Sequence, residues 1–199
     1  MSGRFLNFLS TRALAGRAKS FGRRKDGATV IEFAFLLPPF LLLMYAIIQT
    51  AVVFYASQVL ETATADSARL IMTGQAQKQG LNEAEFKTQL CSRLDALFNC
   101  ATGVKIDVRK YAWASGTDPI AQFANANLQA PLDEDGNLDT DDFAYTPGVQ
   151  GDIVVVKVVY EWPMLMGVYS FDLATLPSGK RLLMATAAFR NEPYNANNP

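Results

Sequence analysis

The feature that most constrains this chain is an uninterrupted apolar run near its N-terminus. No charged residue occurs from Phe33 to Leu60, a stretch of 28 positions. A helix needs about 20 apolar residues, each rising roughly 1.5 Å, to cross a bilayer, whereas the apolar part of a secretory signal has about 7–15. The run therefore predicts one membrane-spanning helix.

The charges on either side of this run predict its orientation. Residues 1–26 contain seven Lys or Arg residues and one acid, and the first charges after the run are Glu61 and Asp66. Because positive flanks stay in the cytoplasm, we expect the N-terminus inside the cell and the chain beyond about Ser57 outside. The basic segment suits contact with anionic lipid, and nucleic-acid binding is not expected because the rest of the chain is acidic.

One acid, Glu32, lies at the leading edge of the apolar run. A carboxylate is costly to bury there unless it finds a partner. A cut after Gly27 would give Ala28 a free ammonium group four residues before Glu32, on the same helix face, and the positive end of the helix favours the acid as well. In an assembly, the carboxylate could instead pair with the amino terminus of a neighbouring subunit.

These residues resemble a known family. A basic leader, then Gly27, then Ala28-Thr29-Val30-Ile31-Glu32-Phe33 and an apolar helix are similar to the processing region of type IV-like prepilins. The Glu32-Phe33 pair and Pro38 resemble, more narrowly, the TadE/TadF-like pseudopilins of the tight-adherence (Flp, type IVb) pilus machinery. The resemblance covers about residues 22–75 and returns over about 150–194, where the tail Arg190-Asn191-Glu192-Pro193-Tyr194 is similar to the end of that family's domain. The doubled proline, Pro38-Pro39, departs from the pattern and predicts a kink.

The resemblance implies a minor pilin or pseudopilin, a structural subunit of a pilus. A prepilin peptidase would cut after Gly27, Ala28 would become the new N-terminus, and Glu32 with Phe33 would act in assembly. The implied location is the bacterial inner membrane, with the C-terminal domain in the periplasm and an association with the pilus. The implied partners are the peptidase, other pilins or pseudopilins, an inner-membrane assembly platform and membrane lipid. The alternative is an uncleaved single-pass protein whose periplasmic domain binds a partner or scaffold.

Three parts of the chain are predicted: a basic cytoplasmic leader (1–27), a transmembrane and stalk helix (28–74), and an extracytoplasmic α+β domain (75–199). Small and aliphatic residues recur along the stalk at spacings of four and three, and they would pack on the protein's own domain or on another helix. These residues are Ala56, Leu60, Ala63, Ser67 and Leu70. Gly74 is a natural stop for the helix.

The predicted domain contains one helix and about three antiparallel strands. Asn82 and Glu85 predict a capped helix that ends near Asn99, with an apolar face formed by Phe86, Leu90, Leu94 and Leu97. Alternating or β-rich segments predict strands at 103–113, 152–162 and 181–190. We expect the helix to pack on one face of this sheet. The apolar connector 163–177 would cover the sheet or form a contact patch.

Cys91 and Cys100 both follow the membrane run, so they would lie in an oxidising compartment. Within one continuous helix they would be roughly 13 Å apart, too far for a disulfide. A bridge therefore requires the helix to end before Cys100 and the chain to fold back. The alternative is a pair of buried free thiols.

A long acidic loop, residues 117–150, contains no Lys or Arg. Read as an EF-hand-type loop with Gly136 at the turn, it offers four weak calcium ligands, but Pro131 occupies the first ligand position. The candidates are Asp133, Asp135, Asp139 and Asp142. The alternative is a solvated loop without a metal.

No residue pattern predicts an enzyme or a bound cofactor. The chain has no histidine, which excludes histidine-dependent triads and metal ligands. Gly179-Lys180 does not form a phosphate loop because Ala174 occupies the position of the first glycine. Two cysteines nine residues apart do not have zinc-site spacing. We therefore expect a structural protein.

Overall fold

A computed structural model of the chain describes residues 27–94, 97–111, 119–124, 126–164 and 173–194. The helices are α1 (Ala28–Met72), α2 (Gln75–Gln79), α3 (Glu83–Cys91), α4 (Cys100–Gly103) and α5 (Pro119–Ala124), and the strands are β1 (Val104–Tyr111), β2 (Ile153–Pro163) and β3 (Lys180–Arg190). The predicted leader, except Gly27, and residues 165–172 of the apolar connector lie outside the described residues. The chain divides into two compact units, Met1–Ile48 and Gln49–Pro199.

α1 is one continuous helix of 45 residues, and Pro38 and Pro39 do not interrupt it. Within the described part of the chain it is the one helix long and apolar enough to cross a membrane. No residue from Thr29 to Val52 is buried. The predicted single candidate span is therefore confirmed by length and composition.

Beyond Val52, one face of α1 packs into the second unit. Four residues of the predicted seam, Ala56, Leu60, Ala63 and Ser67, are at most 2% exposed. Leu70 packs against the same core. Of the two partners considered for this face, the protein's own domain is the one found.

The strands form an antiparallel sheet in the order β1-β2-β3, which confirms the predicted α+β fold. Val156 on the central strand lies opposite Val108 on one side and Ala187 on the other. Even-numbered valines of β2 share a core with β1, with α1 and with Phe86 and Leu90 of α3. On the opposite face of β2, Val155 and Val159 are also buried. Burial on both faces explains why this central strand has so few polar residues.

α3 begins where the sequence predicts but ends earlier. Asn82 Oδ1 accepts a hydrogen bond from Glu85 N (3.0 Å), and Glu85 Oε2 accepts one from Asn82 N (2.9 Å), which completes a capping box. The helix ends at Cys91, so the predicted end near Asn99 is wrong, and Leu97 is 47% exposed. The chain folds back because Cys91 and Cys100 form a disulfide, with Cα atoms 5.8 Å apart.

The residues that follow β3 fasten it to the end of α1, and we name Asn191, Glu192 and Tyr194 the C-terminal clasp. Asn191 is 2% exposed, and its Nδ2 donates to the carbonyls of Pro147 (2.9 Å) and Val149 (3.0 Å). Glu192 N donates to Met72 O (2.9 Å) and so satisfies a carbonyl in the last turn of α1. The ring of Tyr194 covers Gly74.

Replacing Gly74 by alanine should cost more stability than the same change at Gly80. Both glycines have positive φ, 75° and 63°, where an alanine loses about 1–2 kcal/mol. A Cβ at Gly80 meets nothing, whereas one at Gly74 collides with the Tyr194 ring. We expect Gly74→Ala to lower the free energy of unfolding by about 1–3 kcal/mol more than Gly80→Ala. Urea unfolding of the full chain in detergent, followed by near-UV circular dichroism, measures both, and equal losses would contradict the clasp.

Candidate functional site

The predicted processing residues lie at the start of α1. The helix begins at Ala28, so Gly27 is the residue immediately before it. Gly27 is exposed, and a Cβ added to it would meet no atom within 4 Å. The described contacts therefore give no structural reason for a glycine at this position.

The predicted assembly residues lie one turn further along α1. Glu32 is four residues after Ala28, a spacing that brings the two positions to the same helix face. Glu32 is exposed, and Phe33 is 62% exposed. Glu32 forms no ion pair with a described residue. Its carboxylate is therefore open to a partner near the positive end of the helix.

The surface of α1 beyond Glu32 is apolar and uncovered by described residues. Phe35, Leu36 and Phe40 are more than half exposed, and so are many later side chains. A soluble protein rarely exposes so long an apolar surface, because water disfavours it. The surface suits lipid chains or another helix.

The acidic loop uses its carboxylates to form turns. The side chain of Asp133 accepts a hydrogen bond from Asn137 N (2.7 Å), and that of Asp139 accepts one from Asp141 N (2.9 Å). Within the described ranges, no three His, Cys, Asp or Glu residues are placed to hold a metal ion. The structure thus does not group three of the weak calcium candidates, which are Asp133, Asp135, Asp139 and Asp142.

The acidic loop has no Lys or Arg of its own, and basic residues of the neighbouring strands bind it instead. Asp107 is 2% exposed and accepts hydrogen bonds from Arg109 Nε (3.0 Å) and Ala144 N (3.1 Å). Arg109 also donates to the carbonyl of Asp142 (2.5 Å), and its hydrogen bond to Asp107 raises the pKa of Arg109. Together these contacts tie the acidic loop to β1.

Lys157 holds the same loop from β2. It lies opposite Asp107 in the sheet, and its Nζ donates to the carbonyl of Asn127 (2.6 Å). Burial lowers the pKa of Lys157, while the charge of Asp107 opposes that change. Sequence reasoning missed this pair because only the strand register brings Asp107 and Lys157 together.

Tyr145 closes the loop over the core. Its ring packs on Phe86 with centroids 5.6 Å apart, and its neighbours Ala144 and Thr146 pair with the backbone of Val108. The Tyr145 hydroxyl is buried without a hydrogen-bond partner among the described residues. Burial, together with the charge of Glu85, raises the pKa of Tyr145 to about 12.

The fold and site define a class: a protein with one candidate membrane helix, an exposed glycine and acid at the start of that helix, and a small α+β domain after it. Residues 27–69 match the family model described as TadE-like protein. The chain is therefore similar to TadE-like proteins from Gly27 through most of α1, which confirms the resemblance over this part of the chain. No curated protein matches the chain, and no solved structure matches it.

Tyr145→Phe should make the domain less sensitive to alkaline pH. The ordinary pKa of tyrosine is 10.0, and that of folded Tyr145 is about 12. Between these values the unfolded chain loses the proton while the folded chain keeps it, so stability falls as pH rises through this window. The phenylalanine variant lacks this loss.

At pH 7 the same variant should be as stable as the wild type or more stable, because the buried hydroxyl has no partner to lose. Thermal unfolding at intervals from pH 7 to 12 measures both effects. Identical pH profiles for the two proteins would contradict the burial of the hydroxyl.

Proposed function

We propose that this chain is a pseudopilin-like structural subunit of a tight-adherence pilus, cut after Gly27 by a prepilin peptidase. One observation carries the proposal: Gly27 is exposed and directly precedes α1, and no described contact requires a glycine there. A peptidase that must approach the backbone closely would account for the small residue at this position. The family match also begins at Gly27.

The cut would create a partner for Glu32, which forms no ion pair among the described residues. After cleavage, Ala28 carries an ammonium group four residues before Glu32, within reach along one helix face. The same carboxylate can bind the amino terminus of a neighbouring subunit, which would set the register between adjacent α1 helices. Phe33 and the exposed apolar surface beyond it would supply the helix–helix contacts.

The proposed topology follows the charges and the disulfide. α1 would cross the inner membrane with its basic leader in the cytoplasm, where the peptidase cuts. The domain would lie in the periplasm, an oxidising space that suits the Cys91–Cys100 bridge. Its partners would be other pilins or pseudopilins, the inner-membrane assembly platform and lipid.

The proposed work is assembly and not catalysis. The chain contains no histidine, and the side chains of Asp133 and Asp139 in the acidic loop accept hydrogen bonds that form turns. The second candidate is an uncleaved anchored protein whose periplasmic domain binds a partner or scaffold. That candidate is favoured by the packing of the α1 seam on the protein's own domain, which removes this face from helix–helix contact.

Gly27→Leu should block processing, because a bulky side chain would keep the peptidase from the scissile peptide. Wild-type protein from native membranes should begin at Ala28 by N-terminal sequencing and intact mass. The variant should retain the leader and migrate more slowly on a gel.

Gly22→Leu, at a second glycine of the leader, is the matched control and should be cut normally. A normal cleaved band from Gly27→Leu would contradict the assignment of the site. A functioning wild-type protein that still carries residues 1–27 would favour the anchored alternative.

Glu32→Ala should leave cleavage and membrane insertion largely intact but impair assembly, because the new amino terminus loses its carboxylate partner. Glu61→Ala is the control, since Glu61 is a second exposed acid on the same helix, bound only locally to Gln58 (3.2 Å). Assembly is measured by the amount of the subunit that co-purifies with sheared pili or cross-links to other pilins. Wild-type assembly by Glu32→Ala, or an equal defect in Glu61→Ala, would rule out the proposed role.

A further inference from the structure

A largely apolar groove in the second unit lies beside Ser57 of α1. Its volume is about 360 Å³, and its lining includes Ser57, Leu132, Leu176, Arg181, Leu182 and Met184. Leu132 is 42% exposed. In all, six apolar residues, two hydroxyl side chains and one guanidinium line this groove.

The groove lies at a defined distance along α1 from the end of the apolar span. Twenty residues counted from Phe33 end at Val52, and the next residue, Val53, is the first that the domain buries. Ser57 is five residues beyond Val52, which is about 7.5 Å along the helix axis. The headgroup layer on each side of a bilayer is roughly 5–8 Å thick, so Ser57 falls at the depth of the lipid headgroups.

We propose that this groove rests on the outer surface of the membrane from which α1 emerges and takes up lipid there. This inference depends on the membrane-spanning role of α1 in the proposed function. The leucine and methionine side chains suit the upper carbons of acyl chains. Arg181 donates to the carbonyl of Leu173 through Nη1 (3.0 Å), and the other donors of its guanidinium suit a lipid phosphate.

The occupant is lipid and not a second copy of the chain, because the groove and the candidate span share one continuous helix. The bilayer is therefore always adjacent to the groove while α1 is inserted. If the groove faced water at this depth, its leucine side chains would stay exposed next to a lipid surface that could cover them, which is unfavourable. The contact would also limit the tilt of the domain above the membrane.

Lipid contact is tested with a cysteine at position 132. Leu132→Cys in the full chain is labelled with a fluorophore and placed in nanodiscs of phosphatidylethanolamine and phosphatidylglycerol that contain lipids with a nitroxide near the headgroup. The matched control is Val149→Cys, at a residue that is 58% exposed. The carbonyl of Val149 accepts a hydrogen bond from Asn191 of the C-terminal clasp. Through Glu192, the clasp binds α1 at Met72, about 22 Å beyond Ser57 along the helix axis. Intact mass must show one label per chain, so that the disulfide is preserved.

We expect the nitroxide lipid to reduce fluorescence at position 132 by roughly twofold or more and to leave position 149 nearly unchanged. Equal quenching at both positions, or none at 132, would overturn the inference. Quenching that disappears at one chain per nanodisc would show that a second copy mediates the contact, which also overturns it. Flotation of the unlabelled protein with vesicles of the same lipids tests membrane insertion separately. If the protein floats but shows no selective quenching, only the lipid-groove inference is wrong. If it does not float, the membrane-spanning role of α1 is wrong as well.

Discussion

Packing of one face of α1 against the sheet is the interaction on which the folded domain depends. The buried positions of α1 run from Val53 to Ile71 and consist mainly of alanine, serine and threonine with a few aliphatic residues. The small and aliphatic side chains on this face share one core with the even-numbered valines of β2. Polar groups on this face are partly satisfied by the helix itself, since the buried Thr64 hydroxyl donates to the carbonyl of Leu60 (2.7 Å). The same helix is thus exposed and apolar before Val53 and a core element after it.

The C-terminal clasp adds a second connection, between the residues that follow β3 and the last turn of α1. Residues 120 positions apart meet where Glu192 binds Met72, and Asn191 joins the same junction to the loop at Pro147 and Val149. Contacts between distant parts of a sequence make local unfolding costly, because several segments must separate together. The clasp gives a physical reason for the Asn-Glu-Pro-Tyr tail, which the sequence showed only as a resemblance.

Sequence reasoning succeeded where the signal is local. The alternation in β1, the valine-rich run of β2 and the Asn82–Glu85 capping pair each depend on neighbouring residues, and each was found close to its predicted place. It failed at the end of α3, where Leu94 and Leu97 continue the helical period but the disulfide turns the chain. It also missed the burial of Asp107, because that depends on register with Lys157 and on a loop more than 30 residues away. The roles predicted for Gly27 and Glu32 stay predictions, because neither processing nor assembly leaves a mark in the contacts of a single chain.

The separation of these two parts of the chain has a consequence for assembly. The described core begins at Val53, and none of its residues lies between Gly27 and Phe33. α1 starts at Ala28, so the proposed cut after Gly27 would leave the helix and every core contact among the described residues in place. At the first turn, the cut would add an ammonium group that Glu32 can match within one chain or between neighbours. Under the proposed function, the subunit would therefore become competent to assemble through a change in electrostatics at the helix start, without a change in the described packing of the domain.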